Sequence, residues 1–131
     1  MQDDPRYEDV VREVAAFLEE RLAFAVAAGV PEERICLDPG IGFGKTTRHN
    51  LELLAGLEAI VSLGRPVLVG ISRKRFLARV LGDEVSSTGP LPASVAAAVF
   101  AFERGASILR VHDVREHVEA LTAARALASV S

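Results

Sequence analysis

The sequence predicts an α/β fold around a parallel sheet, and three observations support that prediction. Short apolar segments alternate with longer segments of helical periodicity, which is the pattern of βαβ units. The central segment, residues 66–71, is continuously apolar, as expected of a parallel strand covered on both faces. Polar side chains follow each apolar segment, at the sheet edge where parallel folds place their active sites.

The first half of the chain is predicted to form a helix, a strand and a second helix. Apolar residues recur at helical spacing across Pro5–Ala28, and Gly29 ends that helix. The segment "RICLD", residues 34–38, follows as a short buried strand. Asn50–Leu63 is predicted to be the second helix, closed by Gly64.

The second half is predicted to contain two strands and three helices, in the order strand 66–71, helix Arg73–Leu81, helix 93–105, strand 107–113 and helix Val114–Ala128. A loop-like break, Asp83–Pro92, separates the two middle helices and is too short for a domain linker. The helix at 93–105 is apolar on nearly every side, so we expect it to be buried against other helices or a partner.

Three strands are few for a complete α/β fold. A closed barrel has eight strands over about 250 residues, and an open doubly wound sheet commonly has five or more. We therefore expect residues 1–131 to form one domain that is part of such a fold, beginning on a helix that follows a strand.

Composition and charge exclude several classes of protein. The formal net charge is −3 and the pI about 5.6, so the basic surface of a nucleic-acid-binding protein is missing. No stretch approaches the roughly 18 apolar residues of a membrane span, and the charged N-terminus does not resemble a signal peptide. The single cysteine, Cys36, lies in an apolar segment, so we expect a buried, reduced thiol. These features predict a cytoplasmic protein with neither nucleic acid nor membrane as partner.

The glycine-rich segment "LDPGIGFGK", residues 37–45, has the wrong spacing for a phosphate loop. Such a loop requires Gly, four residues and then Gly-Lys-[Ser/Thr], and here the first position is Pro39. A proline offers no N–H to a phosphate and cannot adopt positive φ. A dinucleotide fingerprint fails as well, because Lys45 stands where its third glycine belongs.

Candidate ligand-binding side chains gather at the strand ends, which carry Asp38, then Ser72, Arg73 and Lys74, then Arg110 and His112. Each has a structural alternative: Asp38 can initiate a turn, and His112 can be a satisfied structural histidine. Arg73 and Lys74 can form a solvated helix turn. An arginine inside an apolar strand is expected to be buried and to need partners, and Arg110 shares one strand face with His112.

Taken together, one carboxylate and two or three cations suit a polar heterocycle that carries a phosphate or diphosphate. The carboxylate can accept from an N–C–N edge of donors, while Arg110 and His112 hold anionic oxygens. The loop glycines then let the backbone turn sharply and pass close to the ligand.

The segments "LDPGIGFGK", "GRPVLVGISRKRFL" and "GASILRVHDVRE", in this order, resemble dihydropteroate synthases, the folate-pathway enzymes of the pterin-binding barrel family. The resemblance covers nearly the whole chain but only the C-terminal half of that family's barrel. It implies the C-terminal part, about three βα units, of a (β/α)8 TIM barrel, with Met1 an internal methionine. It also implies the reaction of 7,8-dihydropterin-6-ylmethyl diphosphate with 4-aminobenzoate, which releases pyrophosphate with the assistance of Mg²⁺.

The resemblance implies roles for residues on the pterin side of the site. Asp38 would bind the amino-pyrimidine edge, Phe43 would line the pocket, and Gly70 would allow close approach. Lys74 would contact the pterin and lie near the aminobenzoate, which Ser72 would border.

On the leaving-group side, the resemblance implies that Arg110 and His112 bind the diphosphate and, with Lys74, carry the catalysis. It places no metal ligand in this chain, because the Mg²⁺ ligand belongs to the N-terminal half of the family's barrel. It also implies a homodimer formed through the last helices, and we expect this chain alone to show no synthase activity.

Two alternatives from other functional classes stay open. A folate-dependent methyltransferase domain shares the pterin-binding barrel, but we expect it to lack the combination of "SRK" and "RVHD". A non-catalytic fragment that acts as an interaction module would pair through its alanine-rich helices. Calorimetry with a pterin, with and without a diphosphate, distinguishes these alternatives.

Overall fold

Helices and parallel strands alternate along the chain in this computed structural model, which describes residues 5–130. The elements are α1 (Val10–Ala27), a 3₁₀ turn (Glu32–Arg34), α2 (Thr47–Ala55), α3 (Glu58–Val61), β1 (Leu68–Val69), α4 (Arg75–Val80), α5 (Leu91–Glu103), β2 (Ile108–Leu109) and α6 (Val114–Ala128). The interpretation of Met1 as an internal methionine lies outside the described residues.

The sheet is parallel, as predicted. β1 pairs with β2 through Leu68 opposite Ile108 and Val69 opposite Leu109. On the other side of β1, the predicted strand 34–38 makes a single parallel bridge, from Leu37 to Val67. The order across the sheet is therefore the Leu37 segment, β1 and β2, and the three segments end at the same edge.

The first helix begins later than predicted, at Val10, because Asp9 caps it. The Asp9 carboxylate accepts a hydrogen bond from Arg12 N at 3.1 Å, which satisfies an N–H that the helix leaves unpaired. The buried residues of α1 follow helical spacing, and they are Val10, Val14, Leu18 and Leu22.

The predicted helix Asn50–Leu63 is two helices, α2 and α3, separated at Gly56. Gly56 leaves the helical conformation at φ −97° and ψ 18°, which ends α2. A side chain there would also be too close to α1, since a Cβ on Gly56 would lie 2.8 Å from a methyl of Val11. The break therefore lets α1 pack directly on this part of the chain.

The prediction of a buried Cys36 is wrong. Cys36 is exposed because side chains alternate along its segment, where Leu37 is buried and Asp38 is exposed. Helix α5 packs against α2, α4 and α6, as expected of so apolar a helix; it turns Ser94, Ala98 and Ala101 inward and leaves most of its other apolar residues half-buried.

Candidate ligand-binding site

The glycine loop, residues 38–46, follows the first strand segment and turns through three left-handed glycines. Gly40, Gly42 and Gly44 have φ values of 74°, 87° and 61°, which a residue with a Cβ adopts only under strain. This confirms the sharp turn predicted for them. The loop is anchored from α2 by Asn50, whose buried side-chain oxygen accepts a hydrogen bond from Gly42 N at 2.8 Å.

Asp38 opens the glycine loop and uses one carboxylate oxygen to shape it. Its Oδ1 accepts from Gly40 N at 2.9 Å, which is the turn role that the sequence left open. Its Oδ2 lies 3.5 Å from Arg110 Nη1 on the third strand segment. The carboxylate thus turns the loop and also meets a cation 72 residues away.

Arg110 is not buried, which corrects the expectation for an arginine in an apolar strand. Its side chain is 56% exposed, because β2 ends at Leu109 and Arg110 lies beyond it. The guanidinium packs closely over Gly70, where a Cβ would lie 2.6 Å from Arg110 Nη2. A side chain at position 70 would therefore displace the guanidinium of Arg110 from its place beside Asp38.

Both lysines of the sequence brace the glycine loop. Lys45 Nζ donates to the carbonyl oxygens of Gly40 and Phe43, each at 3.0 Å. Lys74 Nζ donates to Ile41 O and lies 4.4 Å from the centre of the Phe43 ring. The lysine of "GFGKT" therefore holds the carbonyl groups of its own loop.

Burial affects the charge of both lysines. It lowers the pKa of Lys45 below its usual value, and the carboxylate of Asp38 opposes that change in pKa. The pKa of Lys74 is lowered first by burial and then by the positive charge of Arg110, while Asp38 again opposes the change. Both ammonium groups are thus partly desolvated cations, and a nearby anion would stabilise their charged form.

Ser72 and His112 join the second and third strand ends. The buried Ser72 Oγ accepts from His112 N at 3.1 Å and lies 2.9 Å from His112 Nδ1. Although Arg110 and His112 are two residues apart, they take different partners, because Arg110 reaches Asp38 and His112 reaches Ser72.

The arginine turn, residues 72–74, has an unusual backbone at Arg73, where φ is 59°. Arg73 donates from Nε and Nη2 to the two carboxylate oxygens of Asp113, at 3.2 and 2.8 Å. Its backbone N donates to the buried Oγ of Ser94 at 2.9 Å. The Arg73 side chain is half exposed but paired with Asp113. The alternative interpretation of Arg73 as part of a solvated helix turn is therefore correct only in part.

Three residues with structural roles at the site were missed from sequence, namely Asn50, Ser94 and Asp113. Two of them carried a signal, since Asn50 and Ser94 are polar residues at helix positions whose neighbours one turn later are apolar. Asp113 directly follows His112 and was assigned no partner. Buried polar side chains require hydrogen bonds, so polar residues on apolar helix faces are the places to search.

A cavity near the site has a volume of about 670 Å³ and lies beside Lys74 rather than Asp38. Its walls include Phe43, Lys45, Lys74 and Arg75, whereas Asp38, Arg110 and His112 do not line it. The Asp38–Arg110 pair lies on open surface instead, with both side chains more than a third exposed. A ligand spanning both regions would pass Lys74, which contacts the loop between them.

Across residues 5–130, no three His, Cys, Asp or Glu side chains are grouped so that they could hold a metal ion. The two carboxylates at the strand ends, Asp38 and Asp113, each face an arginine. These residues do not fit a magnesium site. None of the helices in the described part of the chain combines the length and apolar character needed to cross a membrane.

Comparison with known proteins identifies relatives across almost the whole chain. A sequence profile described as "Pterin binding enzyme" matches residues 1–112. The dihydropteroate synthase of Neisseria meningitidis serogroup C is 47% identical over 128 residues, covering 97% of this chain and 45% of that relative.

Solved structures show the same fold. The dihydropteroate synthase from Xanthomonas albilineans in complex with 7,8-dihydropteroate superposes with a TM-score of 0.91 at 46% identity, covering 100% of this chain and 50% of that one. The same enzyme with 4-aminobenzoic acid gives a TM-score of 0.88 at 47% identity, covering 98% and 47%. The present chain thus spans about half the length of these relatives, which confirms the prediction that it is part of a barrel.

Proposed function

This chain belongs to the family of pterin-binding enzymes, and on that premise we propose that it is the part of a dihydropteroate synthase that binds the pterin and its diphosphate. The observation that carries the proposal is the meeting of Asp38, Lys74 and Arg110 at the ends of parallel strands. One carboxylate and two cations from three separate segments converge there. The ligands bound to relatives also agree with it, since the two Xanthomonas structures hold 7,8-dihydropteroate and 4-aminobenzoic acid.

Asp38 is the proposed acceptor for the amino-pyrimidine edge of the pterin. Its Oδ1 is held by Gly40 N, so the carboxylate has a fixed orientation before a ligand binds. Two N–H donors side by side match a carboxylate in the way that a guanidinium does, with charge-assisted hydrogen bonds. Phe43, half exposed and close to Lys74, offers the apolar wall of the same pocket, and Gly70 allows the close approach.

Arg110, His112 and Lys74 are the proposed partners of the diphosphate and the groups that carry catalysis. In the reaction, the bond from the methylene carbon to the diphosphate oxygen breaks, and its electron pair leaves with pyrophosphate. The amine of 4-aminobenzoate, bordered by Ser72, gives its electron pair to the methylene carbon and then loses a proton. Fixed cations that stabilise the leaving charge lower the barrier of such a step.

Magnesium, the homodimer and the cytoplasmic location are further parts of this proposal. Because residues 5–130 do not fit a magnesium site, the ion would take its protein ligands from outside this part of the chain. The exposed apolar side chains Val114, Val118 and Leu127 on α6 support a dimer formed through the last helices. Sedimentation as a monomer at micromolar concentration would contradict the dimer.

The experiment that tests the proposed function is Arg110→Lys, measured by calorimetry with two ligands. Lysine keeps the charge but loses the planar fork that matches two phosphate oxygens. We expect pyrophosphate to bind roughly tenfold more weakly, as for the loss of one charge-assisted hydrogen bond. A hydroxymethylpterin without phosphates should bind as it does to the wild type. Equal losses for both ligands would place Arg110 in the pterin pocket.

Turnover provides the second test. The chain alone, with both substrates and Mg²⁺, should release no pyrophosphate, because catalysis needs all donors fixed in a shielded site. Adding the separately expressed N-terminal half of a relative should restore release if the two halves complete one barrel. Turnover by the chain alone would overturn the proposal that it supplies only part of the site.

A further inference from the structure

The arginine turn holds a conformation that its own residue type disfavours. Among residues 5–130, Arg73 is the one non-glycine residue with a left-handed backbone. This conformation brings Cβ close to neighbouring backbone atoms, so it persists only where surrounding contacts enforce it. Residues strained in this way cluster at functional sites.

Three tertiary contacts enforce the conformation. Arg73 N donates to Ser94 Oγ at 2.9 Å, and Arg73 O accepts from Gly89 N at 3.1 Å. The guanidinium is held by both oxygens of Asp113. Ser94 has no exposed surface, and a Cβ on Gly89 would lie 2.5 Å from Lys74 O, so two of the three contacts are made in closely packed surroundings.

Asp113 contacts Arg73 instead of capping its own helix, α6. It occupies the N-cap position of α6, where an aspartate ordinarily accepts from a backbone N–H of the first turn, as Asp9 does for α1. The Asp113 side chain makes no such capping hydrogen bond. Its carboxylate reaches Arg73 instead, 40 residues earlier in the sequence.

The residues on either side of Arg73 are those assigned above to ligand binding. Ser72 is hydrogen-bonded to His112, and Lys74 reaches the carbonyl of Ile41 in the glycine loop. The backbone reversal between them sends one side chain towards the third strand and the other towards the first. A change of φ at Arg73 would therefore move both contacts together.

We propose that Ser94 is a positioning residue of the site: its buried hydroxyl, together with Asp113, fixes the arginine turn and thereby orients Lys74 and the Ser72–His112 pair towards the diphosphate. Ser94 touches no ligand in this scheme and acts only through Arg73. The inference rests on the proposed function in one respect, the assignment of Lys74 and His112 to diphosphate binding.

The test compares Ser94→Ala with Ala101→Gly. Both changes leave the net charge unchanged and lie at buried positions of α5, but Ala101 lies about two helical turns beyond Ser94, and glycine there weakens the helix. By calorimetry at neutral pH, Ser94→Ala should bind inorganic pyrophosphate roughly tenfold more weakly, as for the loss of one buried hydrogen-bond partner. Ala101→Gly should bind within twofold of wild type. Equal affinity of Ser94→Ala and wild type would overturn the proposal.

A second measurement decides the matter without any ligand. The ¹⁵N shifts of the His112 ring report the hydrogen bond of Nδ1, which Ser72 shares. In Ser94→Ala these shifts should move towards those of a solvated imidazole, whereas Ala101→Gly should leave them as in the wild type. Ser94→Cys, which keeps a weak acceptor of similar size, should fall between the two.

The two measurements separate the possible failures. If the wild-type chain binds no pyrophosphate, the proposed function fails, and the His112 shifts still test the positioning role. If Ser94→Ala leaves the His112 shifts unchanged, Ser94 is only part of the core, whatever the chain binds.

Discussion

The glycine loop and the arginine turn reach the same left-handed backbone by opposite means. In the glycine loop, three glycines adopt positive φ at little steric cost, and the conformation is a property of the local sequence. In the arginine turn, Arg73 adopts φ 59° because Ser94, Gly89 and Asp113 hold it there. The left-handed backbone of the first loop is therefore permitted by its own residues, whereas that of the second depends on packing.

This difference bears on function. A loop shaped by glycine can keep its conformation when distant contacts change, while a turn held by tertiary contacts responds to any movement of α5 or α6. Lys74 connects the two, since it belongs to the arginine turn and donates to the glycine loop. The predictions below test each side of that difference.

The largest effect is expected from Asp38→Asn in the glycine loop. An amide presents one wrong donor to the pterin and loses charge-assisted hydrogen bonds, at a cost of about 2–4 kcal/mol in binding. Titration with a hydroxymethylpterin measures it. Asp83→Asn is the matched control, because Asp83 also accepts from nearby backbone N–H groups but lies outside the site. Binding to Asp38→Asn within twofold of wild type would refute the role of Asp38.

A smaller effect is expected from Gly42→Ala, with Gly82→Ala as its control. Both glycines have similar φ values, 87° and 85°, but a Cβ on Gly42 would lie 2.7 Å from Lys74 Cδ, whereas a Cβ on Gly82 meets nothing within 4 Å. Each change should cost about 1–2 kcal/mol of backbone strain, measured by urea unfolding. Only Gly42→Ala should also weaken ligand binding, because it displaces Lys74. If both variants bind the ligand with the same affinity, the contact between Gly42 and Lys74 does not contribute to binding.

The third prediction concerns alkaline pH and the two lysines. Below its lowered pKa, Lys74 is charged in both the folded and the unfolded protein, and the cost of burying that charge is fully present. Above that pKa the folded protein releases the proton first, so stability rises until the unfolded lysine titrates near 10.5. Lys45 contributes in the same direction, since its pKa is also lowered.

The measurement is the free energy of unfolding of wild type and of the double variant Lys45→Met, Lys74→Met, from neutral pH to pH 10.5. The wild type should gain stability relative to the double variant across that range. A constant difference would mean that neither lysine is desolvated in solution.

The smallest effect on stability is expected from Arg73→Gly. Glycine relieves the backbone strain at φ 59°, while the half-exposed ion pair with Asp113 is lost. These changes oppose each other, so the urea midpoint should stay close to that of the wild type. A large loss of stability would show that the ion pair, and not the strain, dominates this turn.

The parallel arrangement was predictable because it depends on a pattern spread over the whole chain. The prediction rests on the alternation of apolar and amphipathic segments and on the continuous apolar strand 66–71. Neither pattern depends on the correct assignment of any single residue. Helix ends were less predictable, since the start of α1 depends on the capping bond of Asp9 and the end of α2 on contact between Gly56 and α1. Cys36 was misassigned because the side-chain alternation of its segment was overlooked.

The site was predictable where residues follow strand ends and hidden where they depend on distant partners. Asp38, Lys74 and Arg110 each follow or end an apolar segment, so their convergence could be inferred from a parallel sheet. The conformation of Arg73 could not be inferred from the sequence, because nothing in "SRK" indicates positive φ. It depends on Ser94, 21 residues later, and on Asp113, 40 residues later.

Tyr7 packs against the base of the glycine loop, with its ring edge-on to His49 at 5.1 Å and Lys45 Nζ 5.8 Å from its centre. The sequence has no tryptophan and no other tyrosine. The tyrosine emission of this protein therefore arises at one place, beside the lysine that holds the loop carbonyls. Any ligand that shifts Lys45 changes the surroundings of that single emitter, so the unlabelled chain reports on its own glycine loop in a fluorimeter.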